Sequence, residues 1–131
     1  MKQSISIDLP WPSRVLSPNA RPNRYYKAQV FKQTRLGVKA ITLNRMRSEG
    51  IKSIEPKGDG LLNIQLVLTP PINRQRDEDN MVANCKAVFD GIAEAVKVND
   101  HFFHLREQVW NKAKSPGKLQ VIIDWEDSNE G

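Results

Sequence analysis

Apolar residues recur at every second position in "SISIDLP", where Ile5, Ile7 and Leu9 share one side, and this predicts a first strand ended by Pro10 and Pro12. The same alternation returns in "LLNIQLVLTPP", with Leu62, Ile64, Leu66 and Leu68 set against Asn63, Gln65 and Thr69, a half-buried strand stopped by Pro70 and Pro71. It returns again from Leu119 to Trp125, which with a strand near Leu105 to Lys112 and the "KSPGK" turn between them reads as a hairpin. Elsewhere the spacing is helical. Tyr26, Val30, Val38 and Ile41 fall within a third of the helical circle, opposite Lys32, Arg35 and Lys39, so a helix is expected over Tyr25 to Arg47, with Gly37 its weak point. Met81, Cys85, Val88, Phe89, Ile92 and Val96 form one broad apolar face of a second helix, Asp79 to Val96, with Ala83, Lys86 and Asp90 opposite. The order is β-α-β-α-β-β. It predicts one layer-packed domain over 1–131, of the α/β or α+β class, with a small mixed sheet and two helices. A basic loop at about 10–24 and a polar acidic tail at 126–131 stand outside the periodic elements.

Composition narrows the setting. A chain of 131 residues can bury a core without staples, its single cysteine forms no internal disulfide, and "MKQSISIDLPWP" holds no signal-like apolar segment. A reducing, cytoplasmic environment is therefore expected. No apolar run approaches membrane-spanning length, so no membrane association is expected. Charge changes the picture more. The net charge is +5 and the pI about 9.5, and residues 1–50 carry ten Lys/Arg against only Asp8 and Glu49. An anionic partner for the N-terminal half follows, nucleic acid first among the candidates.

Against that background "NRQRDEDNMVANCKAVFDG" gathers acids. One reading is helix-start chemistry: Asp77 as N-cap, Glu78 and Asp79 complementing the dipole, and Asp90 pairing with Lys86 one turn away. Arg74 and Arg76 strain it, because positive charge at a helix start is unfavourable unless something anionic is bound there. The other reading is a cation site. Asp77 and Asp79 point the same way if the chain is extended into the helix start, and with Asp100 of "KVND" they would supply the hard oxygen ligands that Mg²⁺ prefers. A continuous helix of about twenty residues would hold its ends roughly 30 Å apart, so Asp100 joins the pair only if the helix stops early and the chain returns, or if a second subunit brings it. Other metals fit less well: "DEDNMV" lacks calcium-loop ligands, and one Cys with His101 and His104 is thin material for zinc. The histidines read as surface or strand residues and Cys85 as core. No glycine-rich phosphate loop or nucleophile elbow is present.

These motifs resemble the RusA family of Holliday-junction resolvases, common in prophages. "IDLPWP" with "LSPNARPNRYYKA" looks like the family's start, "RQRDEDNM" like its arginine-rich acidic motif, and "CKAVFDGIAEAVKVND" like its helix and closing acidic turn, together spanning roughly Ser4 to Trp125. The resemblance implies a Mg²⁺-dependent, homodimeric, structure-selective DNA endonuclease acting on four-way junctions, with Mn²⁺ as a substitute metal. By the same resemblance Asp77, Asp79 and Asp100 are the metal-binding aspartates and Lys86 the active-site lysine, although some members place the lysine about one turn nearer the second aspartate. Arg74, Arg76, Arg21, Arg24 and Lys27 would then contact DNA phosphates. The first loop is longer here than in some relatives. Two other functions would suit the same residues: a non-catalytic DNA-binding accessory protein, and a Mg²⁺-dependent nuclease acting on flaps or RNA.

Overall fold

Strand alternation becomes a five-stranded mixed sheet in the computed structural model, which describes residues 2–17, 20, 21, 23–58, 60–73 and 78–127, with 78 and 79 by backbone only. β1 (Lys2–Pro10) lies antiparallel to β5 (Lys118–Glu126), in register from Lys2 opposite Glu126 to Pro10 opposite Lys118. β5 is antiparallel on its other side to β2 (Leu62–Thr69). Two short strands, β3 (Phe103–Leu105) and β4 (Val109–Trp110), then run parallel to β2 along its far edge. Ile5, Ile7, Leu9, Leu62, Ile64, Leu66, Leu68, Leu119, Val121, Ile123 and Trp125 face one side and are buried. The positions between them, among them Ser6, Asn63, Gln65, Gln120 and Asp124, are partly exposed on a polar face.

The described α-helices are α1 (Arg24–Ser48), α2 (Glu78–Asn84) and α3 (Lys86–Val96). Val38 and Met46 of α1, Met81 of α2, Cys85, and Val88, Ile92 and Val96 of α3 join the apolar sheet face in one core. The mixed α/β domain matches the sequence expectation, with three differences. First, the last two predicted strands do not form a hairpin. β5 is long enough to pair along both edges, with β1 and β2, whereas Arg106–Gln108 interrupts the preceding segment and leaves two short pieces beside β2. Second, the second predicted helix is split. The Cys85 N–H is shared by the carbonyls of Met81 and Val82, both at 3.1 Å, and its backbone (φ −91°, ψ 9°) leaves the helical well. Third, α1 buries Val38, Thr42 and Met46, whereas Tyr26 is exposed because the first turns of the helix run beyond the core, and Ile41, beside the buried stripe, is 38% exposed. Gly37 does not interrupt α1. Among the described residues no helix is long and apolar enough to cross a membrane.

Three local contacts hold α1 against α3 and against the sheet. α1 and α3 approach so closely at Gly91 that a Cβ there would lie 2.5 Å from the Arg35 carbonyl oxygen and 2.9 Å from Val38 Cβ. Arg35 Nη1 reaches Glu94 at 2.6 Å, which holds that carboxyl below its ordinary range. At the opposite side of the fold, Arg45 of α1 donates from Nε to the Ser6 carbonyl of β1 at 2.9 Å.

The core also accounts for Cys85. It is fully buried, and burial pushes its thiol up to about 12. Since the thiolate is the reactive species, the native protein is expected not to react with a colorimetric thiol reagent at mildly alkaline pH, and to release one equivalent of signal once unfolded in denaturant. Rapid labelling of the folded protein would contradict this packing.

Candidate active site at Lys86 and Asp100

Lys86 opens α3 on the helix face away from the core. Its Nζ donates to Asp90 Oδ1 at 2.9 Å, one turn further on, and to Asp100 Oδ2 at 2.8 Å. The return of Asp100 has a local cause. α3 has eleven residues and is therefore about 16 Å long. It ends where Lys97 takes a left-handed conformation (φ 60°, ψ 37°) with its N–H bonded to the Ala93 carbonyl. Asn99 then caps a 3-10 turn over Asp100–Phe102, its Oδ1 accepting from the His101 N–H at 2.8 Å. Phe103 follows in β3 and meets Phe89 edge-on at 6.4 Å, tying the returning segment to α3. The separation expected of one continuous helix does not arise.

Electrostatics fix the state of this cluster. Hydrogen bonds donated to Asp100 and then to Asp90 raise the Lys86 pKa, and accepting from Lys86 lowers that of Asp100. Lys86 is an ammonium throughout the neutral range and cannot serve there as a general base. Two carboxylates around one ammonium leave one net negative charge, and the third Lys86 proton remains for another acceptor. Beside the cluster is a cleft of about 400 Å³, walled by Val82, Ala83, Phe89, Phe103 and Leu105, with Lys86 and Asp100 as its polar part.

The structure brings Lys86, Asp90 and Asp100 together, and Asp90 is an ion-pair partner of Lys86. Arg74, Arg76 and Asp77 lie outside the described residues, as does the side chain of Asp79, whose backbone falls in the first turn of α2, one turn ahead of Ala83. Among the described residues no group of three or more His, Cys, Asp or Glu side chains is placed to hold a metal. Arg21 is exposed, and Arg24 starts α1 with its guanidinium 5.4 Å from the Tyr25 ring centroid. Lys27 donates to the Ser17 carbonyl at 3.2 Å, holding the basic loop to the helix. α1 and α3 run in the same direction: Thr34 lines a crevice with Val88, Val38 meets Gly91, and Lys39 reaches Glu94 at 3.8 Å. The first turns of α1 therefore sit at the end of the molecule where α3 begins.

One polar cluster was not anticipated. Asn63 Nδ2 donates to Asp124 Oδ1 at 3.0 Å, and Asn63 Oδ1 lies 3.1 Å from His104 Nδ1. With the amide nitrogen already engaged, the imidazole donates from Nδ1 and presents Nε2 outward. Strand alternation put Asn63 on the polar face, but nothing in the sequence set His104 beside it, because that pairing depends on β3 lying parallel to β2.

Comparison with known proteins adds a relative. No protein-family model matches the chain. An uncharacterized protein of Xylella fastidiosa (strain Temecula1) is 31% identical over 123 residues, covering 94% of this chain and 78% of its own. The chain belongs to that protein's family. Membership brings no activity with it, since the Xylella member is itself uncharacterized. Among solved structures, a thiamine-monophosphate kinase from Stenotrophomonas maltophilia K279a overlaps 94% of this chain but only 30% of its own, at 15% identity and a TM-score of 0.36. At that level it carries no argument about fold or function.

Proposed function

We propose that the chain is a Mg²⁺-dependent, structure-selective DNA endonuclease of the RusA type, resolving four-way junctions by paired phosphodiester hydrolysis as a cytoplasmic homodimer. The observation that carries the reading is the 2.8 Å contact between Lys86 and Asp100, fourteen positions apart, both of which the family resemblance names as active-site residues. The donor chemistry fits: carboxylate oxygens are the hard ligands Mg²⁺ takes, and the net negative charge of the cluster favours a cation. Asp77, Asp79 and Asp100 would hold the metal, and Mn²⁺ could replace it. The chemistry a bound Mg²⁺ would supply there is charge neutralisation on the phosphodiester, activation of a water and stabilisation of the leaving oxygen. Lys86 remains protonated between its carboxylates and turns its remaining proton to a phosphate oxygen of the substrate. Asp90 holds the ammonium in place during that contact. Arg21, Arg24, Lys27, Arg74 and Arg76 would bind the flanking phosphates, so affinity should fall steeply with salt. Two copies related by a two-fold axis would act on two strands of one junction.

The test sets four-way junctions, flaps, duplex DNA and RNA side by side, with Mg²⁺ and with EDTA. Symmetrical nicks in the junction that require Mg²⁺ are expected. Preferred cleavage of flaps or RNA would reassign the substrate, and binding without any cleavage would identify a DNA-binding accessory protein.

A further inference from the structure

The first turn of α1 presents two large aromatic side chains that the core does not use. Tyr25 is 74% exposed and Tyr26 53%, although Tyr26 falls in the periodic apolar pattern of the helix. Asn23 fixes this turn, its Oδ1 accepting from the Tyr25 N–H at 2.8 Å. The Arg24 guanidinium lies over the Tyr25 ring, and Arg21 and Lys27 flank the pair. No carboxylate occurs anywhere between Asp8 and Glu49, so positive charge around the rings is unopposed by neighbours in sequence. Exposed aromatic rings set in positive charge suit a ligand with flat apolar faces and an anionic backbone. Successive helix positions point about 100° apart, so the two rings can meet two different bases.

We infer that Tyr25 and Tyr26 form a stacking platform for unpaired nucleobases, with Arg21, Arg24 and Lys27 on the adjoining phosphates. The inference rests on the nucleic-acid reading above and names the part of a branched substrate that is gripped, the unstacked bases at the branch rather than the paired arms. The platform stands at the end of the molecule where α3 begins with Lys86, so bases held there lie toward the cluster that would do the chemistry.

The test measures binding of the full chain to a single-stranded oligonucleotide, a four-way junction and a duplex, with Ca²⁺ replacing Mg²⁺ to prevent cleavage. Tyr25→Ala with Tyr26→Ala is expected to weaken single-strand and junction binding by at least about 25-fold, since each lost base–aromatic stack implies about five-fold or more, and to spare duplex binding. Tryptophan at both positions restores binding, and 2-aminopurine at the branch is quenched by the parent and not by the alanine variant. Equal loss on all three DNAs, or no loss on any, overturns the platform. A shift from dimer to monomer in sedimentation on alanine substitution also overturns it, by assigning the tyrosines to a subunit contact. A parent protein that binds with this selectivity but never cleaves with Mg²⁺ refutes the nuclease and leaves the platform standing, whereas one that binds none of the three refutes both.

Discussion

Asp100→Asn is expected to slow Mg²⁺-dependent junction cleavage by at least ~10²-fold, the scale for losing one group that stabilises transition-state charge, while junction binding is retained. The asparagine keeps the shape and an oxygen but removes the negative charge that a divalent cation requires, and it leaves Lys86 a neutral amide oxygen in place of a charge-assisted partner. The fold should hardly notice. The Lys86 side chain is 57% exposed and that of Asp100 37%, so their ion pair stabilises the native state by about 1 kcal/mol or less. Loss of activity without loss of melting temperature is therefore the signature of a functional pair. Lys86→Met should lose activity on a similar scale, and the double variant should lose little beyond the worse single one, because the two side chains act as a unit. Single-turnover cleavage and gel shift in Ca²⁺ measure both quantities. Parent-like cleavage by Asp100→Asn would remove Asp100 from the mechanism.

The largest effect on stability is expected at Gly91. Its missing side chain is what lets α3 settle against the backbone of α1, and the nearest obstacle to a methyl group is the Arg35 carbonyl, which cannot swing aside as a side chain could. Gly91→Ala should cost about 1–3 kcal/mol through overpacking, more than the gain in helix propensity of about 1 kcal/mol returns at an exposed site. Urea denaturation of parent and variant measures the difference, and a more stable Gly91→Ala protein would show that the helices are free to separate. Because Arg35 and Glu94 bridge the same two helices, separation there should also disturb their ion pair.

The sequence displays core positions well wherever periodicity is local. The predicted apolar face of Met81, Cys85, Val88, Phe89, Ile92 and Val96 is buried throughout, as are the alternating residues of β1, β2 and β5. Periodicity fails where position depends on partners distant in the chain. Tyr26 fits the helical pattern but has no sheet beneath it, and "KSPGK" looks like a hairpin turn although it carries the chain from the β4 side of the sheet to a strand between β1 and β2. The bend at Cys85 depends on a shared backbone hydrogen bond, which no side-chain pattern announces. At the site, Lys86 and Asp100 were legible as chemistry and not as neighbours, because their meeting depends on the left-handed turn at Lys97. Asp77 and Asp79 remain sequence-based assignments.

The guanidinium of Arg45 bears on how readily another molecule could extend the sheet. β1 is a nine-residue strand at the margin of the sheet, the kind of margin onto which a strand from another molecule can zip and so begin a polymer. Arg45 occupies the Ser6 carbonyl near the middle of that strand, so an incoming strand would have to displace a charged group before its own amides could dock. At the other margin, β3 and β4 are too short and too interrupted to template growth. Among the described residues, Arg45 is therefore a barrier to strand addition on the β1 side.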